Sequence, residues 1–476
     1  MKSILASLIF LLMSSVCQAQ QCFDKCDESN RYPSDFRGQF CWLLNEICFN
    51  LSFPRWGSPK KASNEEIEKY LNYTTGENSF YYTQADIPWG SNWFACKYGG
   101  IARRWAVAGG NIAGINYPAL EKLLEWKDLK SMTKDQINAL SPAEKLDIFI
   151  GNKDFRITRW ELTHRGPYRG STADDNYCGF CNGARSSGAL MLEPLNNRTV
   201  YAAAGAKLAD RATLRPQDPA IQLTFYPADI KAIAAASFYY NERAYNIGLN
   251  NRNNLVDPNP AILDFMLRFL INKSKTPFFL DVMPNEEIWN ETIMGYERKI
   301  TSIKDVSALE LNEMNGLPIK KVVTIDITLY CQDEVGIAEI NRNTNITMAD
   351  KSMAQTKEWV KERKYSYKLY VDEKDKIING KWITTPGWES RVYTPGDLTP
   401  IDFIWMASGG GADHLHGGNQ NINYSMVRYL FTGLDLAEQA DPVNLDMSRK
   451  QTNPLIGDIP QPVISISNLN KLQQKE

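Results

Sequence analysis

The chain has 476 residues, of which 43% are hydrophobic and 11% aromatic, a composition typical of a globular protein and not of a disordered or collagen-like one. The 53 Lys and Arg residues nearly balance the 55 Asp and Glu residues, which argues against a nucleic-acid-binding protein held by a basic face. With three histidines in the whole chain, a histidine-rich metal site is hard to build.

Residues 1–19 predict a cleaved secretory signal peptide. Lys2 precedes an apolar run from Ile4 to Val16, and Ala19 offers a small residue at the cleavage position. The run is too short to span a bilayer, and no later stretch is long and apolar enough to do so. A buried first helix is the alternative interpretation. We expect the mature chain to be secreted or periplasmic, without a membrane span.

Cleavage would remove one of the nine cysteines, and an oxidising compartment makes disulfide bonds the default interpretation of the other eight. Four of these crowd the new N-terminus: Cys22, Cys26, Cys41 and Cys48. Two local bridges there, in one of three connectivities, predict a disulfide-stapled region over residues 20–110. The other four are Cys96, Cys178, Cys181 and Cys331. If one of them is a catalytic thiol, three cysteines remain, and one of these has no disulfide partner.

Helical patterns dominate the chain as far as residue 275. Capping boxes at Thr133–Gln136 and Ser141–Glu144 predict two helix starts, the second with Pro142 in the first turn. Apolar spacing predicts further helices over Asn64–Leu71, Tyr117–Met132, Cys181–Glu193, Ala228–Phe238 and Pro260–Ile271.

After residue 276 the pattern changes to short β-branched and aromatic runs divided by turns. The predicted strands are Phe278–Val282, Glu287–Tyr296, Val322–Tyr330, Tyr365–Val371, Ile377–Trp382 and Phe403–Met406. A helical N-terminal half followed by an antiparallel sheet predicts an α+β enzyme core, over residues 111–433, and not a doubly wound α/β sheet. The polar residues 434–476 predict an extended C-terminal tail.

The strongest chemical signal is the segment 177–184, Tyr-Cys-Gly-Phe-Cys-Asn-Gly-Ala. Cys181 is predicted to lie where a loop ends and a helix begins, so the free N–H groups and positive dipole end of the helix should lower the pKa of its thiol. The same N–H groups are ready donors to an oxyanion. Small residues from Gly183 to Ala189 permit close packing beside a cleft. These features favour a nucleophilic thiol.

Three other interpretations of Cys178 and Cys181 stay open from the residues alone. A redox C-x-x-C pair fits the spacing, although no thioredoxin-like βαβ pattern surrounds it. Half of a zinc site would need a second C-x-x-C or a histidine pair. Both thiols can also belong to plain structural disulfides.

A nucleophilic thiol needs a proton acceptor, and the sequence offers few histidines for this role. His164 is the nearest, seventeen residues upstream of Cys181. His414 and His416 would suit a downstream partner, but the glycines around them predict a flexible loop first. As a metal site this pair would need further ligands.

Three segments, in order along the chain, resemble the transglutaminase elicitor family. They are residues 140–147 at a helix start, residues 181–184 (Cys-Asn-Gly-Ala) at the candidate nucleophile, and residues 288–296 (Ile-Trp-Asn-Glu-Thr-Ile-Met-Gly-Tyr). The strands Phe278–Asp281 and Ile378–Trp382 fit as well, and the resemblance covers roughly residues 135–410. Two positions depart from the family pattern, with Ala184 where it has Trp and Thr292 where it has Pro.

The resemblance implies a papain-like, transglutaminase-like cysteine enzyme core with Cys181 as nucleophile, and it sets Trp289 and Asn290 near the active site as substrate-binding residues. A papain-like order also places a histidine after the cysteine, on a strand. No histidine lies between Cys181 and His414. The acceptor is then His164, the pair His414 and His416, or an acidic residue such as Asp281. A fourth alternative is that the enzyme has degenerated.

By the same resemblance the activity is expected to be acyl transfer. A Cys181 thioester would form with a glutamine side chain of a protein substrate, and a lysine amine would resolve it to a cross-link, or water to a deamidated product. The expected partners are thus protein glutamine and lysine side chains, without nucleic acid. A divalent cation such as Ca²⁺ is implied by the resemblance alone, since neither Asp372–Asp375 nor Asp333-Glu334 has EF-hand spacing.

Two other classes of function stay open. A papain-like protease or amidase on the same core would cleave its substrate without incorporating an amine. A non-enzymatic exported binding protein would have Cys178 and Cys181 joined in a disulfide.

Overall fold

A computed structural model gives the structure of the chain. It describes residues 39–40, 43, 64–82, 88–104, 117–168, 178–191, 193–194, 196–203, 217–241, 244–248, 258–282, 289–314, 316–332, 334, 360–383, 401–407, 419, 422 and 430. The predicted signal segment, the four N-terminal cysteines, His414, His416 and the predicted C-terminal tail lie outside the described residues.

The described α-helices lie before residue 276, with one short exception in the sheet region. They are α1 (Asn64–Leu71), α2 (Lys134–Asn138), α3 (Pro142–Ile150), α4 (Arg156–Trp160), α5 (Cys181–Leu190), α6 (Pro227–Asn241), α7 (Pro260–Met266) and α8 (Ala308–Glu313). The helix α4 continues as a π-helical turn over Glu161–Arg165, and α7 continues in the same way over Leu267–Lys273. None of the described helices combines the length and apolar composition that crossing a bilayer requires.

Both predicted capping boxes are confirmed. The Thr133 side chain accepts a hydrogen bond from the Gln136 backbone N–H at the start of α2, and the Gln136 side chain accepts one from the Thr133 backbone N–H. Ser141 and Glu144 make the same reciprocal pair at the start of α3. These bonds satisfy N–H groups that have no partner within the helix, so the helix starts are encoded locally.

The strands form one large antiparallel sheet and a separate two-stranded one. Their bounds are β1 (Ser79–Tyr81), β2 (Arg198–Ala203), β3 (Gln217–Phe225), β4 (Ala244–Gly248), β5 (Phe279–Asp281), β6 (Asn290–Asp305), β7 (Lys321–Gln332), β8 (Val360–Val371), β9 (Ile377–Ile383) and β10 (Phe403–Ala407). The large sheet runs β4-β10-β5-β6-β7-β8-β9, with β1 also paired to β6, and β2 pairs with β3. A mixed α+β fold with an antiparallel sheet is thereby confirmed.

Two parts of the sequence-based prediction are wrong. Residues 117–132 do not form one helix but two separate 3₁₀ segments, Leu120–Lys122 and Trp126–Ser131, because Leu123 between them has an extended backbone. The helical half also contains four strands that were not predicted, β1 to β4. The short strands β1 and β4 pair with β6 and β10, far along the chain, so their local pattern carries little signal, whereas β2 and β3 pair with each other.

Two large apolar clusters, and a small third one of Ile319, Val322 and Tyr370, hold the described elements together. One packs α3, α5 and α6 against the end of the large sheet, where Phe279 and Trp405 have ring centroids 4.2 Å apart. The other packs α7 against the opposite part of the sheet. The helix α6 is rich in small buried residues, including Ala234, Ala235 and Ala236, which lets α5 approach its backbone closely. This approach fixes the position of the N-terminus of α5, where Cys181 lies.

Candidate active site

Cys181 is the first residue of α5, as its sequence predicts. The preceding residue, Phe180, occupies the cap position and makes no side-chain hydrogen bond there, while its carbonyl oxygen accepts from the Ala184 N–H at 2.8 Å. No capping side chain at Phe180 therefore competes for the N–H groups of the first turn. A helix N-terminus offers such N–H groups to a negatively charged oxygen, and that of Asn182 already acts on the Cys181 thiol.

The helix α5 is held on both sides by close contacts. A Cβ at Gly183 would lie 1.9 Å from the Ala235 carbonyl oxygen of α6, so only glycine permits this approach. The buried Arg185 side chain donates from Nε to the Asn290 carbonyl oxygen of β6 at 2.8 Å. Cys181 is thus positioned between a packed helix and the first residue of a long strand.

Two asparagine side chains contact the thiol. Cys181 Sγ donates to Asn182 Oδ1 at 3.2 Å. Asn290 Nδ2 donates to Cys181 Sγ at 3.5 Å and also to Asn182 Oδ1. Its Oδ1 accepts a hydrogen bond from Trp405 Nε1 at 2.6 Å. Because an indole N–H can only donate, this bond fixes the oxygen of the amide towards Trp405 and the NH₂ group towards Cys181.

Asp281 and Trp289 lie beside Asn290. Asp281 pairs with Asn290 across strands β5 and β6, and its buried Oδ1 accepts from the Trp289 backbone N–H at 3.0 Å. The Trp289 and Trp93 rings have centroids 5.9 Å apart, and the Trp93 carbonyl accepts from Phe180 N–H at 2.6 Å. Two half-buried indoles therefore flank the segments that hold the thiol. The Asp281 carboxylate thus holds the backbone of Trp289 in place.

His164 lies on the π-helical turn and is exposed. Its Nδ1 contacts Thr163 Oγ1 at 2.8 Å and the Trp160 carbonyl at 3.1 Å, and its ring stacks on Trp160 with centroids 4.6 Å apart. None of these contacts joins it to Cys181. Its role as proton acceptor stays a prediction.

Glu334 acts on the site but was not predicted as a catalytic residue; the sequence showed it only as part of an acidic pair without EF-hand spacing. Its negative charge acts on Cys181 and raises the pKa of the thiol. Glu334 follows strand β7, whose last residue, Gln332, pairs with Thr292 of β6, two residues after Asn290. The missing signal was this long-range strand pairing, which one sequence does not show.

The pKa of Cys181 is raised, contrary to the expectation from its place at a helix N-terminus. Burial is the largest cause, and Glu334 adds to it, while Asn290 and Arg185 act in the opposite direction. Burial disfavours the charged thiolate because the protein interior solvates charge less well than water. The resting thiol therefore needs a proton acceptor to become a nucleophile.

The other described cysteines divide into a pair and a single buried thiol. Cys178 Sγ lies 2.7 Å from Cys96 Sγ, so Cys178 faces Cys96 and not Cys181. Cys331 is fully buried in β7. Within the described part of the chain, no cluster of three or more His, Cys, Asp or Glu residues could hold a metal ion.

The acidic turn Asp372–Asp375 does not fit a calcium site. The Asp372 carboxylate accepts from the backbone N–H groups of Lys374 and Lys376, and Asp375 pairs with Lys321 at 2.9 Å. These carboxylates are already occupied by donors of the protein. In Asp333-Glu334 the first residue lies outside the described part of the chain.

Comparison with known proteins adds a family match. A family model for the transglutaminase elicitor matches residues 213–433, which confirms the resemblance over this segment. The match includes Asp281, Trp289 and Asn290 and begins after Cys181, so the case for Cys181 rests on its geometry. No curated protein matches the chain. The crystal structure of the GP42 transglutaminase from Phytophthora sojae is similar with a TM-score of 0.46 and 16% identity, over 78% of this chain and 97% of that chain.

Proposed function

We propose that the protein is an exported acyltransferase of the transglutaminase type, with Cys181 as its nucleophile. The observation that carries this proposal is the thiol at the uncapped N-terminus of α5, contacted by an Asn290 amide that Trp405 holds in one orientation. The family match over residues 213–433 supports the class of reaction.

In the proposed reaction the Cys181 thiolate attacks the side-chain carboxamide of a glutamine in a protein substrate. The carbonyl oxygen becomes an oxyanion, which the first-turn N–H groups of α5 stabilise. Ammonia leaves with the proton taken from the thiol, and a thioester remains. A lysine amine of a second substrate then displaces the thiol and forms an isopeptide bond, whereas water would give glutamate.

The proposed reaction needs a proton acceptor at Cys181. Because burial raises the pKa of Cys181, a base within reach must take its proton. Glu334 is a carboxylate whose charge acts on the thiol, so we propose it for this role beside His164 and Asp281. His414 and His416 stay predictions outside the described residues.

Transfer to an amine requires that water is kept away from the thioester. Trp93 and Trp289 supply apolar walls on the two segments that hold Cys181, and with Asn290 they are proposed to contact the substrate. A drier site also strengthens the interactions that stabilise the oxyanion. Aromatic walls of this kind favour an amine on a lysine stem over free water.

Three further predictions belong to the proposal. We assign residues 111–433 to a papain-like catalytic core, residues 20–110 to the N-terminal region and residues 434–476 to the tail. The predicted signal peptide implies export. Calcium dependence, which the family resemblance implies, stays a prediction, and no step of the proposed reaction runs through a metal.

The test is incorporation of monodansylcadaverine into casein by the full chain. We expect incorporation by the wild-type protein and a loss of at least about 10³-fold in Cys181→Ala. The matched control is Cys331→Ala, which removes a buried thiol elsewhere and should keep the activity. Incorporation that persists in Cys181→Ala contradicts the proposal. Cleavage of casein without incorporation would assign the site to a protease instead.

A further inference from the structure

Cys96 and Cys178 are held face to face although 82 residues separate them in the chain. Their sulfur atoms lie 2.7 Å apart, and the Cys96 backbone N–H donates to the Cys178 carbonyl at 2.8 Å. This separation is shorter than an ordinary contact between two sulfur atoms. A small shift brings it to the length of about 2.05 Å at which a disulfide forms.

Arg165 makes the surroundings of this pair electropositive. Its guanidinium lies 4.9 Å from the Phe180 ring centroid and 4.3 Å from that of Tyr239, and its charge is attracted to both cysteines. A positive charge beside a thiol favours the thiolate, which is the reactive form in disulfide exchange. Cys178 is half-buried and Cys96 only 1% exposed, so Cys178 is the sulfur that a reagent meets first.

We propose that Cys96 and Cys178 are a reversible thiol–disulfide site, whose oxidised form ties the loop before Cys181 to the segment that follows Trp93. The oxidant is a small-molecule disulfide such as oxidised glutathione. The Cys178 thiolate attacks one of its sulfurs and releases the first glutathione thiolate. The Cys96 thiolate then displaces the second, so two electrons pass to glutathione and the two thiol protons are released.

The bridge would act on the helix that begins at Cys181. The Phe180 N–H donates to the Trp93 carbonyl at 2.6 Å, and a Cβ at Gly179 would lie 2.4 Å from that carbonyl oxygen. The two segments are therefore already in close backbone contact next to the sulfurs. A covalent bond there holds the first turn of α5 in place, and reduction releases it. This inference does not depend on the proposed reaction.

Differential alkylation of the full chain tests the bond directly. The protein is equilibrated in glutathione redox buffers and then denatured in the presence of iodoacetamide, the first label, which alkylates every free thiol. Disulfides are then reduced, and the released thiols are labelled with N-ethylmaleimide, the second label, before peptide mass spectrometry. Under oxidising buffers we expect the second label on Cys96 and Cys178 and the first on Cys181 and Cys331. The first label on Cys96 and Cys178, or a linked peptide that joins Cys178 to Cys181, overturns the proposal.

The effect on α5 is tested by the rate at which native Cys181 reacts with iodoacetamide. We expect this rate to differ at least about threefold between oxidised and reduced wild-type protein. We also expect oxidation to raise the Tm of the wild-type protein by about 5 °C more than it raises the Tm of Cys96→Ser. Cys96→Ser keeps every other cysteine, so any change in Tm that comes from oxidation of the N-terminal cysteines appears in both proteins and cancels in the comparison. Equal rates in both forms contradict the control of α5. If Cys96→Ser does not fold, the wild-type labelling still decides on the bond.

Discussion

The reactivity of Cys181 depends on two environments that act against each other. The start of α5 offers N–H groups that favour a thiolate, but the thiol is packed among protein atoms and Glu334 places a negative charge near it. Burial prevails, and the pKa of the thiol is raised. A neutral resting thiol avoids oxidation, since the thiolate is the form that oxidants attack. It becomes nucleophilic only when a base takes its proton.

Glu334→Gln separates the electrostatic effect of this carboxylate from its proposed role in catalysis. Removing the charge lowers the pKa of Cys181, so alkylation of the thiol by iodoacetamide at about pH 7 should become several-fold faster. Amine incorporation should instead fall by about 10²-fold or more, because the proton acceptor is lost. Both rates are measured on the same preparation.

The control for this prediction is Glu373→Gln, which neutralises an exposed carboxylate in the turn after β8 and should change neither rate. Amine incorporation that survives in Glu334→Gln would remove Glu334 from the reaction. A slower alkylation together with lost incorporation would point to a damaged fold.

At the scale of elements, the packing of α5 on α6 sets the position of the site. Gly183→Ala should break this contact, because the new Cβ would meet the Ala235 carbonyl oxygen at 1.9 Å and the Tyr239 backbone nitrogen at 2.6 Å. Backbone atoms cannot move aside as a flexible side chain does. We expect a loss of about 2–3 kcal/mol in the free energy of unfolding, measured by urea denaturation, and lower reactivity of Cys181.

Gly316→Ala is the matched control. Gly316 has a φ of +75°, but a Cβ added there would meet no atom within 4 Å, so its substitution costs only backbone strain, about 1 kcal/mol. Equal losses in the two variants would show that contact with α6 is not what makes Gly183 necessary.

Elements with local signals were predicted well from the sequence. The capping boxes located α2 and α3, and the six β-branched runs located β5 to β10, although β6 continues to Asp305 and β8 begins at Val360. In contrast, β1 spans three residues and pairs with β6, more than two hundred residues away. Such a strand is specified by its partner, and one sequence does not show which partner it has.

In the candidate active site, too, the residues with local sequence signals were predicted and those that depend on long-range contacts were not. Cys181 was found because its helix start and its small neighbours are visible locally, and the family resemblance added Trp289 and Asn290. The contact of Cys178 with Cys96 and the effect of Glu334 on the Cys181 thiol depend on residues that lie far apart in the chain. The rise in the pKa of Cys181 that burial causes could not be predicted from the sequence either, because it depends on how the folded chain packs around the thiol.

At the scale of the whole molecule, buried charge joins helices to the sheet. Asp264 of α7 accepts from Arg268 at 2.8 Å, from Arg298 of β6 at 2.7 Å and from Tyr367 of β8 at 2.8 Å. Burial raises the pKa of Asp264, but the two arginines outweigh it and the pKa is lowered. This carboxylate stays charged and paired, so it fixes α7 on the sheet over the ordinary range of pH.

Two other buried carboxyls behave in the opposite way. Asp147 accepts from the backbone N–H groups of Ile157 and Thr158 at the start of α4, and Glu161 accepts from Tyr240 and Asn419. Burial is the largest cause of their shifts and raises the pKa of each to about 7, against ordinary values of 3.8 and 4.5. Within the part of the chain that the structure describes, neither makes a salt bridge that would compensate for lost hydration.

These two groups predict that the protein loses stability as the pH rises from about 5 to 7. In this window the folded chain keeps the protons of Asp147 and Glu161, while the unfolded chain has released them. The free energy of unfolding therefore falls as the pH rises, by on the order of 3 kcal/mol for each group. Above about pH 7 it levels off. Urea denaturation at about pH 5 and about pH 8 measures the difference. In Glu161→Gln, which keeps an acceptor for Tyr240 but cannot ionise, the difference should shrink by about half, whereas Glu65→Gln on the exposed face of α1 should leave it unchanged. A wild-type stability that rises across this interval would mean that both carboxyls are charged in the folded core.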